Sequence, residues 1–216
     1  MEPQQLDRLM QKVDGDPIKL SQFLWPKVRL YDKQIEIVYS VRDNDETVVP
    51  AGNMLGKDFI AGLIAVGAFL FPQVFLGKTR KNRGRHEVRA VTTSVKDDHL
   101  DVLWGEIGRF VQTCAVPLSS EFGGPLILRH REIRKIVKGQ ECEISYLKGQ
   151  VSKKGEGMAG HHAPSTLCII DEASGVDEIA YQQALGWEPK LLIIGNPNPC
   201  ENFFRKGVNE GDLVAY

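Results

Sequence analysis

Short apolar runs alternate along this chain with longer segments in which apolar residues recur at helical spacing. The short runs predict buried strands, the first ending at Val48-Val49 and the others at 88–93, 126–128, 143–147, 167–170 and 190–194. The longer segments predict helices at 30–38, 59–71, 97–111 and 176–185. This alternation predicts an α/β protein with a mostly parallel central sheet flanked by helices.

The first residues form a different kind of segment. Leu6, Leu9, Met10 and Val13 recur at helical spacing, and the turn-forming sequence Asp14-Gly15-Asp16-Pro17 follows them. We expect residues 1–24 to form an N-terminal helical segment and residues 25–216 to form a single domain. A chain of 216 residues is long enough for one substantial core.

Composition narrows the class of protein. Hydrophobic residues make up 42% of the chain and charged residues 25%, which is typical of a soluble globular protein, and the net charge of −1 does not by itself indicate a nucleic-acid binder. The four cysteines form no C-x-x-C pair, which argues against a zinc site. The first five residues lack the basic and apolar regions of a signal peptide, and the apolar run 59–71 is too short to span a bilayer, so we expect no membrane segment.

A phosphate-binding loop is predicted between the first strand and the apolar helix, because a strand, a glycine-containing turn, Gly-Lys and a helix follow in that order. Lys57 would reach the β- and γ-phosphates, and the helix N-terminus would add positive partial charge. Two positions depart from G-x-x-x-x-G-K-[ST]: Ala51 replaces the first glycine, and Asp58, an oxygen ligand suited to Mg²⁺, replaces the Ser or Thr. The alternative is an ordinary turn and helix start. The predicted nucleotide-binding residues are Ala51, Gly52, Asn53, Met54, Leu55, Gly56, Lys57, Asp58 and Phe59.

Acidic and amide side chains follow two later strands. Asp171 and Glu172 come directly after 167–170, and Asn196 follows 190–194. Ligands of open α/β sheets bind at the carboxyl ends of the strands. There Asp171 would hold Mg²⁺, Glu172 would polarise water and Asn196 would sense the γ-phosphate. The alternatives are an acidic helix start and a simple Asn-Pro turn.

Other polar positions leave alternatives open. Gln34 can pair with an adenine edge or can be solvated on its helix, and Thr92-Thr93-Ser94 can bind phosphates or cap the next helix. His161 and His162 are adjacent, which favours a flexible loop over a metal site. A basic run either contacts DNA phosphates or forms a solvated loop; its members are Lys78, Arg80, Lys81, Arg83 and Arg85.

Four stretches together resemble the ATPase half of the large terminase subunit of tailed bacteriophages: 50–58, 160–164, 167–175 and 193–197. The resemblance covers residues 25–207. It implies a P-loop NTPase of the ASCE type that uses ATP and Mg²⁺ to pump double-stranded DNA into a procapsid. It also implies a homo-oligomeric ring on the portal protein that is monomeric in isolation, a small terminase subunit as partner, and action in the host cytoplasm rather than in the mature particle.

The resemblance assigns roles residue by residue. Lys57 would bind phosphates, Asp171 would hold Mg²⁺, Glu172 would activate water, Gln34 would contact adenine and Asn196 would couple hydrolysis to movement. The chain departs from the family at Asn53-Met54, where terminases often carry Arg-Gln, and at Ala159, where many carry an arginine that acts across subunits. That arginine finger could instead come from the 80–85 loop or from Arg129, Arg131 or Arg134.

The chain stops at Tyr216, before the nuclease domain of the family, so we expect no nuclease activity from these residues. Two other functions remain open. One is a helicase-like DNA translocase, which would unwind a duplex where a packaging motor would not. The other is a nucleotide-binding structural module with a degenerate P-loop, which would not hydrolyse ATP.

Overall fold

The computed structural model describes residues 13–52, 55–77, 87–152 and 157–210. These residues contain one seven-stranded sheet in the order β1-β7-β6-β2-β5-β4-β3. Its strands are β1 (Glu46–Pro50), β2 (Val88–Ser94), β3 (Leu126–Arg129), β4 (Glu132–Val137), β5 (Gln140–Val151), β6 (Ser165–Ile170) and β7 (Lys190–Gly195). The helices are α1 (Pro17–Leu24), α2 (Asp32–Asp43), α3 (Lys57–Leu70), α4 (Pro72–Phe75), α5 (Asp97–Thr113), α6 (Glu178–Leu185) and α7 (Phe203–Glu210).

The sheet is parallel from β1 to β5, and it becomes antiparallel through β4 and β3. Strand β6 is buried along its whole length, which explains why it is continuously apolar rather than alternating. One face of the sheet packs on α1, α2, α3 and α5, and the other packs on α6 and α7. The predicted α/β architecture is confirmed.

Most predicted elements are present, and the antiparallel region differs most from the prediction. Strand β4 was not predicted, because its charged residues obscure the apolar alternation. Strand β5 continues to Val151, well into the predicted loop that begins at Gly149. Gly149 makes this possible, since a side chain there would clash with the indole of Trp104. Helix α7 has no counterpart among the predicted elements.

The sequence Asp14-Gly15-Asp16-Pro17 begins a helix as well as forming a turn. Asp14 and Gly15 have positive φ angles of 51° and 70°. The Asp16 carboxylate caps α1 by accepting hydrogen bonds from the backbone N–H of Ile18 (2.8 Å) and of Lys19 (3.2 Å). The predicted apolar positions Leu6, Leu9 and Met10 lie outside the described residues.

Helix α1 belongs to the main core. Leu20 and Leu24 are buried in the same cluster as α3 and α5. The indole N–H of Trp25 donates to the carbonyl of Phe110 on α5 at 2.8 Å. The described part of the N-terminal segment therefore packs as an integral layer of the α/β unit. Within the described ranges, no helix is both long enough and apolar enough to cross a bilayer.

Candidate nucleotide site

The predicted phosphate loop lies at the carboxyl end of β1. The backbone N–H of Ala51 donates to the carbonyl of Gly195 at the end of β7 (3.0 Å), and the Ala51 side chain is buried in the core. Gly56 has a φ of 76°, which favours glycine, and Lys57 then begins α3. Asn53 and Met54 lie outside the described residues. The turn and the helix start are therefore where the motif predicts them.

Residues at the start of α2 contact the phosphate loop. Gln34 is only 4% exposed, and its amide nitrogen lies 3.0 Å from the position that a Cβ on Gly56 would occupy. The Tyr31 hydroxyl donates to the carbonyl of Leu55. Gln34 thus contacts the phosphate loop itself, while its contact with adenine stays a prediction. Sequence reasoning missed Tyr31, although an aromatic residue at the start of the Gln34 helix was a usable signal.

Asp171 and Glu172 directly follow β6. The Asp171 N–H extends the sheet ladder by donating to the carbonyl of Thr93 at 2.8 Å, and its side chain is 2% exposed. Glu172 then adopts a left-handed conformation with φ 49° and ψ 45°, which costs a non-glycine residue about 1 kcal/mol or more. This sharp turn brings the Glu172 carboxylate into an ion pair with the Lys57 ammonium. The structure therefore joins the two predicted motifs, which lie far apart in sequence.

Burial sets the electrostatics of this site. It raises the pKa of Asp171 to about 7, and the charge of nearby Asp58 raises the pKa further, while Lys57 lowers it. Burial also raises the pKa of Asp58. Two neighbouring carboxylates that resist ionisation form a site that a cation would stabilise.

These oxygen donors fit Mg²⁺. Proteins usually bind this ion through one or two carboxylates, and substrate phosphates and water complete the octahedron. Asp171 and Asp58 supply that number. Within the described part of the chain, no cluster of three or more His, Cys, Asp or Glu side chains is arranged to hold a metal ion by itself. The arrangement thus suits a metal that arrives with a nucleotide.

Asn196 directly follows β7 on the same edge of the sheet. Pro50 of β1 pairs with Gly195, and Ile170 of β6 pairs with Ile193, so β7 lies between the phosphate loop and Asp171. A Cβ on Gly195 would approach the backbone nitrogen of Ala173 to 2.9 Å. The end of β7 therefore packs tightly against the turn that follows Glu172. The predicted sensing role of Asn196 is not tested by this placement.

Residues 157–164 contain no helix or strand, as predicted for a loop, but His161 is buried rather than solvated. The Tyr146 hydroxyl lies 2.6 Å from Nδ1 of His161, and Nε2 of His161 lies 2.9 Å from the carbonyl of Gly157. The imidazole also stacks edge-on against Trp187, and burial lowers its pKa. His161 therefore anchors the segment to the core, whereas His162 is exposed.

The capping alternative for Thr92-Thr93-Ser94 is also wrong. The N-cap residue of α5 is Lys96, and no side chain caps that helix. Thr92 instead accepts a hydrogen bond from the indole N–H of Trp104 at 2.9 Å.

Three candidate finger arginines already have partners within the chain. Arg129 pairs with Glu141 at 2.6 Å, and Arg134 pairs with Glu132 at 2.7 Å. Arg131 pairs with Asp101 at 2.7 Å and also with Asp97. These ion pairs lie on or beside β3, β4 and β5, at the far end of the sheet from β1. An arginine from this group would have to leave its acidic partner in order to reach a nucleotide.

The predicted DNA-binding residues Lys78, Arg80, Lys81, Arg83 and Arg85 lie outside the described residues. The described residue Glu87, which follows them, accepts a hydrogen bond from the N–H of Ser165 at 3.3 Å. Ser165 begins β6, so Glu87 lies at the edge of the sheet opposite Asp171. A groove of about 570 Å³, lined by Leu76, Ser165 and Trp187 among others, also lies at that opposite edge and is separate from the nucleotide site.

Solved structures of phage terminases share this fold. The chain aligns with the large terminase ATPase domain of Thermus phage P74-26 at a TM-score of 0.58 and 18% identity, covering 82% of this chain and 68% of that one. An arginine-to-alanine variant of that domain gives the same TM-score and identity over 69% of its length.

The large terminase of bacteriophage HK97 aligns at a TM-score of 0.55 and 15% identity, covering 90% of this chain and 41% of that one. No protein-family model matches the sequence, and no curated protein is significantly similar to it. The predicted fold is therefore confirmed, since the chain shares the α/β fold of the terminase ATPase domains.

Proposed function

We propose that this chain is an ATP-hydrolysing motor domain that powers the packaging of double-stranded viral DNA into procapsids. The observation that carries the proposal is the ion pair between Lys57 and Glu172, beside the buried carboxylate of Asp171 and the partly buried carboxylate of Asp58. A phosphate-binding lysine, a metal-binding carboxylate and a candidate base thus meet at one sheet edge. They do so in a fold that the chain shares with phage terminase ATPase domains.

The start of α3 is suited to nucleotide binding. Gly56 precedes Lys57, the first residue of α3, so the helix N-terminus would add positive partial charge where phosphate oxygens bind. Lys57 would bind the β- and γ-phosphates, and Asp171 and Asp58 would hold Mg²⁺. That ion would neutralise the charge that develops on the phosphates. Gln34 and Phe59 lie beside this loop and would bound the nucleoside.

The ion pair also suggests how hydrolysis depends on nucleotide. The Lys57 ammonium cannot pair fully with both the γ-phosphate and the Glu172 carboxylate, because the two anions compete for the same charge. Phosphate binding would draw Lys57 away and free the Glu172 carboxylate to orient water for in-line attack. Lys57 would therefore hold the candidate base until substrate binds and would release it when the γ-phosphate takes its place.

Movement would begin at the end of β7. Gly195 packs closely on the turn after Glu172, so loss of the γ-phosphate would shift Asn196 and that turn together. The basic run from Lys78 to Arg85 would grip the duplex. The portal protein, the small terminase subunit and neighbouring copies in a ring are the proposed partners during assembly in the host cytoplasm. A neighbouring arginine would complete the site, so the isolated chain should hydrolyse ATP slowly.

Phosphate release from MgATP tests the proposal, measured at high protein concentration with and without duplex DNA. Turnover that Glu172→Gln abolishes, and that duplex stimulates without strand displacement, would support a packaging motor. Glu121→Gln, which changes an exposed carboxylate outside the site, should behave as the unmodified chain. Strand displacement would favour the helicase-like translocase. Absence of nucleotide binding at millimolar ATP would overturn the proposal in favour of a structural module.

A further inference from the structure

Ser94, the last residue of β2, buries a hydroxyl that has no hydrogen-bond partner among the described residues. Its side chain is 0% exposed. Buried polar groups are nearly always paired in folded proteins, so an unpaired one calls for an explanation. Water from the bulk solvent does not reach this oxygen, and the hydroxyl does not cap the following helix.

Register places Ser94 beside Asp171. Thr93 of β2 pairs with Ile170 of β6, and the N–H of Asp171 donates to the carbonyl of Thr93. The ladder thus continues for one more step, which sets Ser94 next to Asp171 on adjacent strands about 4.8 Å apart.

The two side chains also share a face of the sheet. Thr92, two residues before Ser94, reaches Trp104 of α5 with its hydroxyl. Ile169, two residues before Asp171, packs in the cluster that contains α3 and α5. Because side chains alternate along a strand, Ser94 and Asp171 both face the side that carries the phosphate-loop helix.

The Asp171 carboxylate can accept a further hydrogen bond from a hydroxyl. Its Oδ1 accepts a hydrogen bond from the Glu172 N–H at 2.8 Å. Carboxylates that ligate metals are usually oriented by further hydrogen bonds. The phosphate loop offers no hydroxyl at its metal-binding position, since Asp58 stands where Ser or Thr is usual.

We propose that the Ser94 hydroxyl is a positioning residue for Mg²⁺, which donates a hydrogen bond to the ionised Asp171 carboxylate and orients it toward the metal. A rotation about χ1 of Ser94 between staggered rotamers changes the direction of the hydroxyl without moving the strand. This inference rests on the metal site of the proposed function. In this proposal the hydroxyl of the metal site comes from Ser94 on β2, because the phosphate loop carries Asp58 where a Ser or Thr is usual.

Binding of Mn²⁺, used as a spectroscopic probe for the metal, tests the inference without requiring turnover. Free Mn²⁺ is measured by electron paramagnetic resonance during titration of the chain, with and without saturating ADP. Ser94→Ala should weaken Mn²⁺ binding by about tenfold, as loss of an orienting partner does at other metal sites. Ser94→Thr, which keeps the hydroxyl, should restore most of the affinity.

The matched control is Ser165→Ala. Ser165 is also buried and also lacks a hydrogen-bond partner for its hydroxyl among the described residues. It begins β6, which Asp171 follows, but it lies at the opposite edge of the sheet. Its removal should leave Mn²⁺ affinity unchanged. Ser94→Cys fills nearly the same volume with a weak donor, so a loss of affinity in a stably folded Ser94→Cys chain separates hydrogen bonding from packing.

A double-mutant cycle with Asp171→Ala decides whether Ser94 acts through Asp171. In that background Ser94→Ala should cause no further loss. Equal Mn²⁺ affinity in Ser94→Ala, Ser165→Ala and the unmodified chain would overturn the inference while leaving ATP hydrolysis untouched. Ser94-dependent Mn²⁺ binding in a chain that hydrolyses no ATP would support the inference while the proposed function fails.

Discussion

The two halves of the sheet use charge in different ways. In the parallel half, β1, β7 and β6 are apolar in their middle residues, and the ionisable groups of the site lie beyond the carboxyl ends of the strands, at Lys57, Asp171 and Glu172. In the antiparallel half, charges lie along β4 and β5 and pair across strands, as Arg129 does with Glu141. A charge at a strand end in the first half therefore indicates chemistry, whereas a charge in the second half indicates structure. Surface pairs of the second kind contribute little to stability.

The largest expected difference between the halves is in turnover. Glu172→Gln should lower kcat by about a thousandfold, because a neutral amide cannot accept a proton from water. Glu141→Gln, in the antiparallel half, should leave kcat within about twofold of the unmodified value, since its partner Arg129 is remote from the nucleotide. Steady-state phosphate release measures both. Equal losses of kcat in the two variants would show that charges in the antiparallel half also support turnover.

The next effect is on stability as a function of pH. The folded pKa of Asp171, about 7, lies above its ordinary value of 3.8, so the folded chain keeps a proton that the unfolded chain releases. The free energy of unfolding without metal should therefore fall as pH rises from 3.8 to about 7, by at most about 4 kcal/mol, and stay level above that.

Asp171→Asn should remove most of this slope, and added Mg²⁺ should reduce it because a cation favours the ionised carboxylate. Urea titrations across this pH window provide the measurement. A slope that persists unchanged in Asp171→Asn would show that other groups carry it.

A partly buried lysine in the antiparallel half should give a pH dependence of stability with the opposite sign. Burial lowers the pKa of Lys135 from 10.5 to about 8, and its ammonium lies 4.9 Å from the centre of the Phe69 ring. The charged form is disfavoured in the fold, so stability should rise with pH between about 8 and 10.5. Lys135→Met should stabilise the chain at pH 7 by at most about 3 kcal/mol, and the gain should shrink above pH 8.

Urea titrations of Lys135→Met and the unmodified chain at pH 7 and pH 10 check this sign. Its nucleotide affinity should not change, because Lys135 lies on β4 rather than at the end of β1. Lower stability of Lys135→Met at pH 7 would mean that the contact with Phe69 outweighs the cost of burying the charge.

The smallest predicted effect concerns Lys57, which is buried at the start of α3. Lys57→Met should weaken MgADP binding by about a hundredfold, since it removes a desolvated charge from the phosphates and leaves Glu172 without its partner. Fluorescent-nucleotide titration measures the loss, and Lys135→Met serves as the matched control. If Lys57→Met binds as tightly as the control, Lys57 does not contact the phosphates.

The local pattern of the sequence was sufficient for much of the fold and part of the site. Apolar runs predicted β2, β6 and β7, because a strand that is buried on both faces is continuously apolar. Apolar residues in α3 and α5 predicted helices, because a helix packs its apolar residues against the core. Asp171 and Glu172 were identified as candidates because a polar residue directly after a buried strand is conspicuous, and Lys57 because Gly-Lys follows a strand and a glycine-containing turn. Strand β4 was missed because its charged side chains pair with residues on another strand, which no local pattern reveals.

The tertiary structure decided everything that depends on strand order and register. It placed β7 between β1 and β6, joined Lys57 to Glu172, and set Ser94 beside Asp171. It also buried His161 against the core, and it paired the arginines near β4 with acidic residues. These contacts join residues far apart in the chain, so their distances, their burial and the raised pKa of Asp171 exist only once the sheet is assembled.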